Sequence, residues 1–104
     1  SGRIGSLLVG IPGDDGLRYA GRVGSGFSDA TLARLEKELL PRRTDADPFV
    51  GVPAADARDA QWVSPHVVGE VEFAEFTPGG ILRHARWRGL RPDKSPAEVR
   101  REDS

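Results

Sequence analysis

The chain has no cysteine and no methionine. The first absence excludes disulfides and thiolate metal sites and suits a reducing cytosol. The second, with the opening Ser1-Gly2, predicts a piece excised from a larger protein behind a cloning scar. Such a piece need not carry a complete active site. No apolar run reaches the roughly 18 residues of a membrane-spanning helix, and the opening SGRIGS lacks a signal segment's apolar stretch. Aromatic residues are scarce at 7%, which weakens any reading built on rows of stacking rings. Lysine is nearly missing as well: only Lys37 and Lys94 stand among 15 basic residues, and the other 13 are arginines.

What is present fits one soluble domain over residues 1–104, with the ends, 1–3 and 100–104, expected to be disordered. Net charge is −1, so the chain as a whole is no polycation for nucleic acid. The charge is unevenly placed. From residue 83 onward come Arg83, Arg86, Arg88, Arg91, Lys94, Arg100 and Arg101, against Asp93 and Glu98 up to that point. Arginine's planar fork suits bidentate phosphate contacts.

Apolar runs over residues 4–12 and 17–23 flank Gly13-Asp14-Asp15-Gly16, which predicts a β-hairpin closed by a tight turn. Ser28 is placed as a helix N-cap, with Asp29 in the first turn and Phe27 able to staple onto Leu32. Leu32, Leu35 and Leu39 recur at helical spacing, and Pro41 stops the helix. Residues 42–59 read as a loop anchored by Phe49 and Val50. Trp62-Val63 and residues 67–77 read as strands, with the alternation breaking near Ala74: Val71 and Phe73 share one face and Phe76 takes the other. Pro78-Gly79-Gly80 is a turn, and residues 81–87 form the last strand, antiparallel to the one before. Four or five curved strands with one helix after the second predict a mainly β chain. A small five-stranded Greek-key barrel, the OB-fold, accommodates them economically, and an α+β roll is the alternative.

Four features could carry chemistry. Glu70, Glu72 and Glu75 suggest paired carboxylates, but alternation puts Glu70 and Glu72 on a solvent-facing side. His66 and His84 have no zinc-ligand spacing, and no metal ligand is assigned. The glycine-rich stretch GRVGSGFS, residues 21–28, could expose N–H groups to a phosphate, yet it also serves as a tight turn into a capped helix. RGLRPDK, residues 88–94, gathers three cations beside Gly89 and Pro92, and Asp93 is placed to orient those cations. It reads either as a solvated basic tail or as an anion clamp.

With Arg91, Asp93 and Lys94 in the pattern R-x-D-K, RGLRPDK resembles the last nucleotidyl-transferase motif of ATP-dependent DNA ligases. The resemblance runs through GSLLVGIP, GLRYAGRVGSGFS, DPF, QWVSPHVVGEVEFAEFTPGGILRHARWRGLRPDK and SPAEV, in that order. It covers about Gly5 to Val99 and is nearest to the ligases of bacterial non-homologous end joining. Ala85 stands where that family often has proline, and Trp87 where it usually has phenylalanine.

The resemblance implies an OB-fold that follows a nucleotidyl-transferase domain and works in two steps. First it closes over ATP, where Arg91 and Lys94 engage the β and γ phosphates and Asp93 orients them. Pyrophosphate is thereby aligned as leaving group while a lysine of the other domain is adenylylated. The domain then swings to clamp nicked duplex DNA. Arg22, Ser25, Arg83 and Arg88 are the DNA-facing residues suggested by charge and placement. ATP and Mg2+ or Mn2+ are implied, bound mainly by the other domain. Nicked double-stranded DNA, that domain and end-joining proteins such as Ku are the implied partners, in a cytoplasmic, nucleoid-associated setting without a membrane. The family's nucleophile lies in K-x-D-G, which neither Lys37 nor Lys94 offers, so the chain alone is expected to form no adenylate. The rival reading is a stand-alone single-stranded nucleic-acid binder. The apparent commitment of Phe27, Phe49 and Phe73 to a core counts against it.

Overall fold

The two apolar runs flanking Gly13-Asp14-Asp15-Gly16 fold back on each other as strands β1 (Leu7–Gly13) and β2 (Gly16–Val23). They pair antiparallel from Gly13↔Gly16 out to Leu7↔Val23, with a register shift between Val9 and Gly10. The computed structural model describes residues 4–99. The expected disorder of residues 1–3 and 100–104 lies outside that range.

Helix α1 (Asp29–Leu39) starts where the sequence places it. The Ser28 hydroxyl oxygen accepts the Thr31 N–H at 3.1 Å, satisfying a donor that the first turn leaves free. Pro41 cannot continue the helix, and the chain tightens into a 3-10 turn over Leu40–Arg42.

Residues 42–59, read as a loop, contain three short elements. These are β3 (Arg43–Thr44), β4 (Phe49–Val50) and α2 (Ala54–Ala57). β4 runs parallel to β2 at Leu17 and Arg18. It is held there by the Phe49 ring, which packs edge-on against Tyr19 with centroids 5.5 Å apart and Trp62 at 6.1 Å. Elements two to four residues long leave no periodicity to read. β3 pairs antiparallel with β5 (Trp62–Val63).

The two remaining expected strands are each split. Residues 67–77 yield β6 (Gly69–Glu72) and β7 (Glu75–Phe76), interrupted at Phe73-Ala74. Beyond the Pro78-Gly79 turn, β8 (Leu82–Arg83) and β9 (Arg86–Leu90) are separated by a corner at His84, whose φ of 60° breaks the extended run. β7 pairs with β8 and β6 with β9, both antiparallel. β9 reaches Leu90, so the first three residues of RGLRPDK are strand rather than loop.

The breaks also correct two side-chain expectations. Phe73, expected in the core, is 39% exposed. It meets Phe76, expected on the opposite face, edge to ring at 4.9 Å, because the bend resets the alternation.

The described strands thus form four separate ladders: β1-β2-β4, β3-β5, β6-β9 and β7-β8. They do not close into one continuous five-stranded sheet. The chain is mainly β and compact. Val23, Leu35 and Trp87 form its buried centre, with Phe27, Val71 and Leu90 among the side chains packed around them. Trp87 lies across Gly69, where a Cβ would strike the indole ring, so only glycine lets β6 approach it. Among the described residues no helix is long and apolar enough to cross a membrane.

Candidate functional site

β9 carries the site's framework. Its register against β6 runs Gly69↔Leu90, Glu70↔Gly89, then Val71↔Trp87, leaving Arg88 as an extra residue. This is a β-bulge, and Gly89 at φ 155° supplies the backbone angle. Unbroken alternation from the inward Trp87 would turn Leu90 out and Arg91 in. The bulge reverses that: Leu90 packs on the core and Arg91 emerges beside Arg88.

Beyond β9 the backbone is fixed at several points. The Arg91 N–H donates to Val68 O at 2.7 Å, and the Lys94 N–H to Arg91 O at 3.1 Å, closing a turn over Pro92-Asp93. Ser95 and Glu98 then form a capping box that starts a 3-10 turn over Pro96–Glu98.

Within this turn, Asp93 holds Arg91 by both oxygens: Nε donates at 3.1 Å and Nη2 at 2.9 Å. Nη1 donates to Glu70 Oε1 across the β6–β9 ladder at 3.3 Å. The guanidinium is held above its usual pKa, first by the Asp93 hydrogen bonds and charge and less by Glu70. The Asp93 carboxyl is correspondingly held below the usual carboxylate range, chiefly by Arg91, with help from its own backbone N–H and Lys94. Three of the five guanidinium N–H groups are engaged, leaving one on each terminal nitrogen.

Arg91 and Lys94 open onto a recess of about 220 Å³, whose other walls include Arg34 and Glu38 of α1, His66 and Pro92. Glu38 already faces Arg42 at 3.6 Å. The side chains of Arg34, His66 and Lys94 make no hydrogen bond or ion pair with another described residue. This small, cation-rimmed recess suits a compact anion. A larger hollow of about 710 Å³ lies between the ladders and is lined mainly by aliphatic and aromatic side chains, with Arg22 already paired to Asp56. Among the described residues no group of three or more His, Asp or Glu is placed to hold a metal ion.

The four residues suggested for DNA are distributed differently. Arg88 shares β9's outer face and donates to Glu72 at 3.2 Å. Arg83 pairs with Glu75 across β7–β8 at 3.2 Å. Arg22 is committed to a network in which Nη2 donates to Asp56 at 3.0 Å and Nη1 to Ser6 at 2.8 Å, while the Tyr19 hydroxyl donates to the same Asp56 at 2.8 Å. Ser25 is exposed, and its backbone carbonyl accepts the Trp87 N–H. That bond ties the glycine-rich stretch to β9. The carboxylate row is exposed, as its spacing suggests, but it is not merely solvated: Glu72 and Glu75 each hold one arginine of the facing strand, and Glu70 holds Arg91 just beyond the end of β9. Sequence reading missed this pairing, and missed Arg34 and His66 as walls, because both depend on register and helix placement. Glutamates alternating on one strand opposite an arginine-rich partner were the available signal.

A family model described as the ATP dependent DNA ligase C terminal region matches residues 1–94. The chain belongs to this family. It is 54% identical over 103 residues to the multifunctional non-homologous end joining DNA repair protein LigD of Mycobacterium tuberculosis, covering 98% of this chain. It spans only 14% of that relative's length. The crystal structure of the ligase domain from M. tuberculosis LigD superimposes with a TM-score of 0.94, covering 98% of this chain and 34% of that one at 54% identity. A mycobacterial DNA ligase D complexed with ATP and MES is similar at TM-score 0.87 and 56% identity, covering 94% of this chain and 33% of that one. Arg91, Asp93 and Lys94 fall within the residues that the family model matches.

Proposed function

We propose that this chain is the C-terminal OB-fold region of an ATP-dependent DNA ligase acting in bacterial end joining. In this reading the four ladders are arcs of one strongly curved Greek-key barrel, interrupted at Phe73-Ala74 and His84. The observation that carries the function is the Arg91–Asp93 clamp: a guanidinium locked on one edge, with N–H groups to spare, beside an unpaired Lys94 on the same recess.

The reaction is attack of a lysine nitrogen of the neighbouring domain on the α-phosphorus of ATP. A bond to nitrogen forms and pyrophosphate leaves with the bond's electron pair. Negative charge grows on the β and γ phosphates, and cations fixed beforehand stabilise it without reorganising. Arg91 and Lys94 engage those phosphates, and Asp93 keeps the arginine's plane in place. Mg2+ or Mn2+ is held mainly by the nucleotidyl-transferase domain. After adenylylation the region turns to nicked duplex DNA, with Arg88, Arg83, Arg22 and Ser25 as its contacts. End-joining proteins such as Ku complete the setting.

In the full-length enzyme, Arg91→Ala and Lys94→Ala should impair self-adenylylation far more than sealing of pre-adenylylated nicks. Equal loss in both steps would contradict the assignment. The chain on its own, without K-x-D-G, should take no label from radioactive ATP and magnesium; a labelled band at 11.2 kDa would overturn that expectation.

One observation favours the second reading, a stand-alone single-strand binder: Phe73 is exposed and could stack a base. Titrating the chain with single-stranded oligonucleotides and nicked duplex separates the two. Tight, length-dependent binding of single strands alone would favour the binder.

A further inference from the structure

Of the exposed carboxylates on β6 and β7, Glu70 alone touches Arg91, the arginine with a proposed chemical role. Glu72 and Glu75 pair with Arg88 and Arg83. Asp93 sits two residues from Arg91 on the same turn, so its grip fixes the guanidinium only relative to that turn. Glu70 is anchored in a different strand, diagonally across the ladder from Arg91, and it is the β9 bulge that brings the two onto one face. Two carboxylates on two elements define the plane of a guanidinium where one leaves a hinge.

We propose that Glu70 is a positioning residue for Arg91. Its Oε1 takes one Nη1 hydrogen, Asp93 takes the Nε/Nη2 edge, and the fork meets phosphate already oriented with one free N–H on each terminal nitrogen. The inference rests on the phosphate-contacting role proposed above for Arg91. It assigns to Glu70 no contact with substrate.

The test uses the full-length ligase with Glu70→Ala, Glu70→Gln and Arg91→Ala, measuring self-adenylylation, sealing of pre-adenylylated nicks and thermal midpoint. A loosened but present arginine predicts that Glu70→Ala lowers the maximal adenylylation rate by roughly tenfold. The ATP concentration for half-maximal rate should change much less. Sealing should stay within about twofold of wild type, and the thermal midpoint should not move, because exposed ion pairs add little stability. Glu70→Gln keeps an oxygen that can accept the Nη1 hydrogen and should recover most of the rate. If Arg91→Ala is crippled in adenylylation while Glu70→Ala matches wild type, the positioning role is overturned and the role of Arg91 stands. Faster adenylylation in Glu70→Ala, as expected of a carboxylate competing with phosphate for Arg91, would also overturn it. So would a parallel loss of sealing and thermal stability, which marks a merely structural contact. Normal adenylylation by Arg91→Ala would remove the underlying reading and the inference with it.

Discussion

Tyr19 illustrates how one residue's chemistry was only half visible in the sequence. Its place on the hairpin was legible, but its partner Asp56 lies in a helix of four residues that no periodicity announces. Burial first, then the hydrogen bond to Asp56 and its charge, together raise the phenol's pKa from 10.0 to about 12. Asp56 is held low by the same bond first and by Arg22 second. The signs follow from proton linkage. Between pH 10 and about 12 the folded state keeps a proton that the unfolded state has released, so stability falls as pH rises through that window. On the acid side the unfolded state binds the extra proton at Asp56, so stability falls as pH drops below the usual carboxylate range. Tyr19 is the only tyrosine in the chain. Tyrosinate absorbance in an alkaline titration therefore reads it alone, and ionisation near 12 is expected; ionisation near 10 would contradict the buried, bonded hydroxyl. Tyr19→Phe should remove the alkaline loss attributable to this group.

At the scale of elements, the hairpin and α1 were legible because each has local punctuation: Gly13-Asp14-Asp15-Gly16 for one, Ser28 and Pro41 for the other. β9 was not. The sequence WRGLR contains the bulge residue, but only the register against β6 shows that Gly89 absorbs an extra residue and turns Arg91 outward. Phe73 failed because it lies in the break between β6 and β7, where strand alternation no longer sets which way a side chain faces. A Cβ built on Gly89 has no neighbour within 4 Å, so a substitution there meets backbone strain rather than a clash. Gly89→Ala, forced to keep φ at 155°, should cost about 1–3 kcal/mol in urea unfolding. It should also slow adenylylation, because relaxing the bulge redirects Arg91. Unchanged stability and rate together would argue that the bulge has no part in aiming it.

For the whole molecule, the mainly β class was legible and the arrangement of its ladders was not. Helix α1 and the β1-β2-β4 and β6-β9 ladders meet around a small centre formed by the buried side chains Val23, Leu35 and Trp87. Trp87→Ala should therefore cost about 3–5 kcal/mol, a large share of the roughly 5–15 kcal/mol expected for a domain. Thermal denaturation should show a fall well above ten degrees, by the rough scaling for a domain of this size. A shift of only a degree or two would place the core elsewhere.

The same architecture explains the division of labour proposed for the chain. A fixed strand end and a closed turn present Arg91 and Lys94 on one recess, and in the proposed reading the nucleophile comes from another domain. The most direct test is the pair of single-turnover rates in the full-length ligase carrying both Arg91→Ala and Lys94→Ala. The account predicts an adenylylation rate lower by about a hundredfold or more, with sealing of a pre-adenylylated nick within about threefold of wild type. A fall of equal size in both rates, or in sealing alone, would contradict it.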